Sequence, residues 1–310
     1  MTKKSTGLQS IDRRWIYLVM LISLLVSLYI ARPVTPVVME PVQNLYDTVD
    51  QAKAGPGDGK LILVGTTFSP STMGESGNQL RALLRHLMLQ HKRFALISVG
   101  EFQGAILGYS IAQEIADQYG YQYGKDWISL GFQLNSTAFY ISFPRDIPGV
   151  VGKDYTGRRL REFPIMQGIK TVRDDIALFV DVTASASVYN WIMDVQGRHP
   201  LKIGYACTGV MTAEAYPYLD SGQLVGVLPG LKGAADYEQL VDELEQKQLA
   251  TGEMTHAFDY TKGQVIITPA RKLMFTQNIA HMVIILFIIL GNIGLVLSRR
   301  RAKTDAKENA

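Results

Sequence analysis

Apolar residues along this chain fall into two textures. At each end they form one long block: residues 15–31 read WIYLVMLISLLVSLYIA and residues 279–298 read IAHMVIILFIILGNIGLVLS, and neither block holds a formal charge. A helix rises 1.5 Å per residue, so blocks of this length reach across ~30 Å of hydrocarbon. Between them the apolar residues come in short runs, LILVG, FALISVG, DWISLGF, IALFVDV, KIGYAC and QLVGVLP. Helical patterns separate several of these runs: NQLRALLRHLMLQH, AILGYSIAQEIADQYG, SVYNWIMDVQG and DYEQLVDELEQ. Strands apolar on both faces belong in a parallel sheet with helices on either side. With right-handed crossovers, the pattern predicts a doubly wound, Rossmann-like α/β domain of about six mostly parallel strands, flanked by N- and C-terminal transmembrane helices.

The organisation follows from the same pattern. Residues 1–14 form a tail, 15–31 the first span, and 32–59 a proline-containing stalk with a short helical pattern, NLYDTVDQAKAG. Residues 60–250 form the α/β domain, 251–278 return the chain to the membrane, 279–298 form the second span and 299–310 the last tail. Residues 133–166, with three prolines, are long for a connector and read as a lid or an edge excursion. The first span could also be a cleaved signal peptide, but RPVTPVVMEP after it offers no small-residue cleavage pattern, which favours an uncleaved anchor.

Charge gives the spans a direction. Lys3, Lys4, Arg13 and Arg14 precede the first; Arg299, Arg300, Arg301, Lys303 and Lys307 follow the second; Arg32, Arg271 and Lys272 lie on the opposite sides. Basic residues are retained in the cytoplasm, so both termini are expected there and the domain outside an inner (cytoplasmic) membrane. The net charge of +3 resides in these tails, since the remainder has 22 basic against 25 acidic residues. That balance gives no reason to expect nucleic acid as a partner.

Candidate chemistry is sparse. The first strand ends in GTTFSPSTMGESGN, which has no lysine for a Walker-type phosphate loop and no G-x-S-x-G for a nucleophile turn. Ser71 or Ser76 is expected to cap the following helix, with Glu75 near its positive end. The five histidines are dispersed, which argues against zinc chemistry, and the single cysteine, Cys207, excludes an internal disulfide and a thiolate metal cluster; no metal site is assigned and the pattern names no cofactor. Cys207 itself reads as a buried core thiol. In open α/β sheets ligands bind where the strands end. The loops there supply Thr66, Ser69, Glu75, Glu101, Asn135, Asp181 and Lys232 as candidate ligand-binding residues, with the three carboxylates also available for acid–base work or for a hard cation such as Mg²⁺. More commonly, acids at such positions only cap helices. In the second span, Asn292 between Gly291 and Gly294 offers a carboxamide and two close-approach positions to another helix.

The stretches AYPYLDSGQLVGVLPGLKGAADYEQL and AHMVIILFIILGNIGLVLSRRR resemble a family of uncharacterised prokaryotic membrane proteins with two spans around an outward-facing domain. The pattern from Ser221 to Glu238 is the most specific part, and the resemblance implies no activity. Of that family's acidic, glycine-containing loop after the first strand, this chain keeps Gly74 and Glu75. Residues 218–237 also look like the last strand and helix of periplasmic sugar-binding proteins. The sequence therefore favours a membrane-anchored extracytoplasmic module that binds a small ligand or a partner protein, as a subunit of a membrane complex or by self-association. The alternatives are an envelope hydrolase or transferase using the crest carboxylates, and a purely structural assembly subunit.

Overall fold

The computed structural model of the protein describes residues 12–262 and 269–308, with side chains as far as Arg300. The elements run α1 (Arg13–Ile30), α2 (Glu40–Gln51), β1 (Leu61–Thr67), α3 (Asn78–Leu89), β2 (Phe94–Val99), α4 (Phe102–Tyr119) and β3 (Trp127–Gln133). They continue with α5 (Thr137–Ser142), α6 (Ile147–Val151), α7 (Val172–Asp175), β4 (Ile176–Thr183), α8 (Ser187–Asn190), β5 (Ile203–Cys207), α9 (Thr212–Asp220), β6 (Leu224–Pro229), α10 (Gly230–Thr251) and α11 (Ala270–Glu308). The chain divides into two compact units, residues 35–271 and the two terminal stretches together. In the terminal unit, Arg13–Ile30 and Ala270–Arg300 are long and apolar enough to cross a membrane.

The six strands form one sheet in the order β3-β2-β1-β4-β5-β6, parallel at every pairing. The doubly wound α/β reading is thus correct, and the chain reverses its winding direction between β1 and β4. Every residue of β1 and β2 is buried, which is why these strands read as unbroken apolar runs. One face is covered by α2, α3, α4 and α10, whose apolar sides enclose Ile62, Val64, Leu96, Leu178 and Val180. Crossover β5–β6 is closed by α9, with Pro217 inside it and no conspicuous helical period in the sequence.

The opposite face is built differently. No long helix follows β3; instead α5, α6 and two single 3-10 turns lay Phe139, Tyr140, Phe143, Ile147, Leu160, Phe163 and Ile165 into the core. At their centre is Trp191, 1% exposed, with ring centroids 4.2 Å from Phe179 and 5.5 Å from Tyr140. Residues 133–166 are therefore the edge excursion rather than a lid: they run past the edge strand β3, and their buried rings shield this side of the sheet together with Trp191. Their prolines and aromatics suit short turns, each contributing a large ring, better than one continuous helix.

Two attachments decide how the ends of the domain are held. Helix α2 buries Val42, Leu45 and Val49 and presses so closely on β6 that a Cβ at Gly226 would lie 2.6 Å from Leu45 N and Pro41 O. The segment read as stalk thus contributes a core helix. At the other end Arg85, 1% exposed, pairs with Asp242 and Glu245 at 2.9 Å, donates to the Tyr260 hydroxyl, and lies 5.0 Å from the Phe258 ring centroid. Asp242 also accepts from Arg271 at 3.0 Å. A buried guanidinium needs such a shell of carboxylates and rings, and the shell here holds Phe258, Tyr260 and Arg271 against α3 and α10.

Candidate functional site

Strand ends at the carboxyl edge of the sheet place the predicted residues as follows. Thr66, 1% exposed, points its Oγ1 at Ile97 O, 3.4 Å away, beneath α4. Ser69 hydrogen-bonds Ser71, Oγ to Oγ, at 2.8 Å. Glu75 reaches across the edge and accepts from Gly209 N at 2.6 Å, tying the loop after β1 to the loop after β5. Glu101 caps α4 by accepting from Gln103 N at 3.1 Å. Asn135 Oδ1 accepts from Asn190 Nδ2 at 3.4 Å. Lys232 donates to Val37 O at 2.8 Å and forms an ion pair with Asp236. Among the described residues, no hydrogen bond joins any two of the seven candidates.

Capping at the opening loop is corrected by the structure. A π-helical turn over Met73–Gly77 runs directly into α3, so the backbone is already coiled where a cap was expected. Ser71 pairs with Ser69, and the buried Ser76 hydroxyl has no hydrogen-bond partner. The capping carboxylate is Glu101 instead, one strand away.

Asp181 is the most unusual of these groups. It is 0% exposed on β4, opposite Gly65 of β1, where an added Cβ would come within 2.1 Å of its Oδ1. Glycine is thus required on the neighbouring strand to admit the carboxyl. Ser187 donates to Oδ2 at 2.6 Å, and Thr183 Oγ1 lies 3.0 Å from the same serine and donates to Thr67 O at 3.0 Å. Oδ1 has no partner. Burial pushes the carboxyl up to about 7, against the lowering effect of the Ser187 hydroxyl. Such a group can hold or pass a proton near neutrality, but solvent does not reach it. Cys207, buried at the end of β5, is likewise pushed up, to about 11, by burial.

Beside the exposed Asn135 and the half-buried Ser69, Glu75 and Glu101, this edge also exposes large apolar side chains. Phe102 and Ile106 on α4 are 62% and 42% exposed, and Leu134 just beyond β3 is 73% exposed. Phe132 meets Phe102 edge to face at 5.9 Å, and Tyr109, one helical turn past Ile106, stacks on Tyr155 at 4.5 Å. Phe132, Leu134, Ala138, Phe139 and Val150 line a groove of about 420 Å³ that continues the strip. Sequence reasoning passed over these residues because isolated apolar positions look alike in a loop and in a core. The 102–106–109 spacing was the available signal.

Among the described residues no group of three or more His, Cys, Asp or Glu side chains is placed to hold a metal ion. In the terminal unit Gly291 and Asn292 lie exposed on α11 while Gly294 is buried. No protein-family profile, no curated protein and no solved structure matches the chain.

Proposed function

We propose that this is a membrane-tethered module whose α/β domain lies outside the cytoplasmic membrane and binds a partner protein through the side of the domain formed by α4 and β3. The observation that carries the reading is the strip of exposed Phe102, Ile106 and Leu134 with the half-buried Phe132, set beside a crest whose candidate carboxylates and Asn135 have partners within the molecule. Contiguous exposed apolar surface is costly in water and is characteristic of interaction sites. The stalk docks at the opposite side, through α2 on β6 and through Val37 and Met39 on α10, and the return segment meets α4 at Gln118, roughly four helical turns from Phe102. Outward placement is supported by the nine basic residues that flank the two apolar helices on their terminal sides, against three on the other. The alternative of an envelope enzyme draws less support, because Glu75 and Glu101 are held by separate backbone groups and Asp181 is enclosed.

The test is site-specific photo-crosslinking of the full chain in its native membranes. A benzophenone side chain at position 134 is expected to give a discrete protein adduct, and one at the exposed Asp58, in the turn before β1, none. Equal, diffuse labelling at both positions would count against a docking strip.

A further inference from the structure

Beyond the strip, residues 153–161, KDYTGRRLR, form a turn of unusual construction at the outer edge of β3. Asp154, 6% exposed, accepts from the Tyr123 hydroxyl at 2.6 Å, from Thr156 Oγ1 at 2.8 Å and from Arg158 N at 2.8 Å. Lys153 and Arg159 face one another across an antiparallel bridge, Gly157 takes the tip at φ +87°, and Leu160 is buried beneath. Tyr155 N donates to Ser129 O at 2.9 Å, so the turn is fastened to the strand edge. A buried carboxylate with three kinds of donor is an arrangement that fixes a loop.

What this fixed turn displays is positive charge. Lys153, Arg158, Arg159 and Arg161 are all exposed, and among the described residues none is ion-paired. The carboxylates of the immediate stretch are Asp154, which is buried, and Glu162. The guanidinium of Arg158 lies 4.4 Å from the Phe163 ring centroid, and Tyr155, which stacks on Tyr109, is 38% exposed. Five strand spacings of ~4.8 Å put this edge roughly 24 Å from β6, where the stalk helix docks. The cations are therefore remote from the edge of the sheet on which the N-terminal stalk docks.

We infer that the basic turn and the apolar strip together receive an acidic segment of the partner protein, the carboxylates pairing with the arginines while apolar side chains cover Phe102 and Leu134. This rests on the partner-binding reading and names the chemistry of the partner. Three of the four cations are arginine, whose planar fork matches a carboxylate in two parallel hydrogen bonds and sheds water more readily than an ammonium. Arginine and tyrosine are enriched, and lysine depleted, where proteins meet. The guanidinium fork fits a phosphate equally well, so it is the apolar strip beside the cations, which a phosphate polymer would leave uncovered, that favours a protein segment.

The experiment extends the crosslinking to two positions, 134 and 155, in the full chain in native membranes, with and without R158Q/R159Q/R161Q. The peptide attached at position 155 is expected to be rich in Asp and Glu, and the triple variant to lower that adduct at least ~10-fold, since three charged contacts are lost. Because Arg158 packs on Phe163, R159Q/R161Q serves as a second variant that leaves this contact intact. A protein adduct at 155 that is indifferent to both variants, or whose peptide has no acidic excess, overturns the inference while the adduct at 134 keeps the partner-binding reading standing. An adduct at 155 to a lipid, glycan or phosphate polymer also overturns it. Absence of any protein adduct at both positions overturns the two together.

Discussion

At Asp181 a carboxyl group sits in a space opened by Gly65, with one oxygen held by Ser187 and the other unpartnered. The sequence shows an acid at the end of a strand; the glycine that admits it is on a different strand far away in the chain, so its burial could not be read locally. Its consequence is measurable. The folded-state value is raised from the ordinary 3.8 to about 7, so the folded protein binds the proton more tightly than the unfolded chain. The contribution is fully present below about pH 4 and is lost as pH rises through about 7, a difference on the order of 4 kcal/mol if the whole shift is expressed. Asp181→Asn is expected to flatten the fall in denaturation midpoint between pH 5 and pH 8. Some slope should persist, because Glu238, also buried, is raised to about 7 chiefly by burial and acts in the same direction. A variant with the full wild-type slope would show that the Asp181 carboxyl is not the titrating group.

At the scale of elements, α2 shows how far a local pattern can mislead about packing. NLYDTVDQAKAG is a helical pattern behind a proline-rich stretch, and nothing in it says that Leu45 will press on the backbone of β6. The ring of Tyr46 also stacks on His86 at 4.1 Å, and His86 shares a 2.8 Å hydrogen bond with the Tyr237 hydroxyl, so α2, α3 and α10 meet in one cluster. Replacing Gly226 by alanine should separate α2 from β6, because the added carbon meets main-chain atoms that cannot rotate away. A loss of roughly 1–3 kcal/mol is expected from overpacking of this kind, read as a lower thermal midpoint together with faster proteolysis between residues 35 and 60. If midpoint and proteolysis are both unchanged, α2 is not an integral layer of the domain.

For the whole molecule, the expectation concerns sidedness. Arginine and lysine at the outer ends of both apolar helices are the ground for the proposed sidedness, termini in the cytoplasm and domain outside. In a Cys207→Ser background, a cysteine at the exposed Ser110 on α4 is expected to react with a membrane-impermeant thiol reagent in intact cells, and one at Ser5 only after lysis. Reaction at position 5 alone in intact cells would reverse the orientation. Ser76, although also in the central domain, is unsuitable as a reporter because it is 0% exposed. The same distribution of charge bears on the partner: the tails carry the net excess, so the cations of the 153–161 turn stand out against a central region that is slightly acidic.

By itself the sequence determined the periodicities: two charge-free blocks of membrane-spanning length, and six strand-length apolar runs that require burial on both faces and hence a parallel sheet. Those properties depend on neighbours in the chain, where hydrophobic spacing acts directly. It also determined that Walker, nucleophile-elbow and thiolate chemistry were absent from their usual spacings. Only the tertiary structure decided which side chains at the strand ends are free. Glu75 is taken up by Gly209, Lys232 by Asp236 and the stalk, and Asp181 by the space over Gly65, through partners that the chain brings together from distant positions. The same long-range packing decided between a lid and an edge excursion for residues 133–166, drawing Phe139, Phe143, Leu160 and Phe163 into the core, and left Phe102, Ile106 and Leu134 at the surface. Burial depends on what the rest of the fold places against a residue, and no local spacing encodes it.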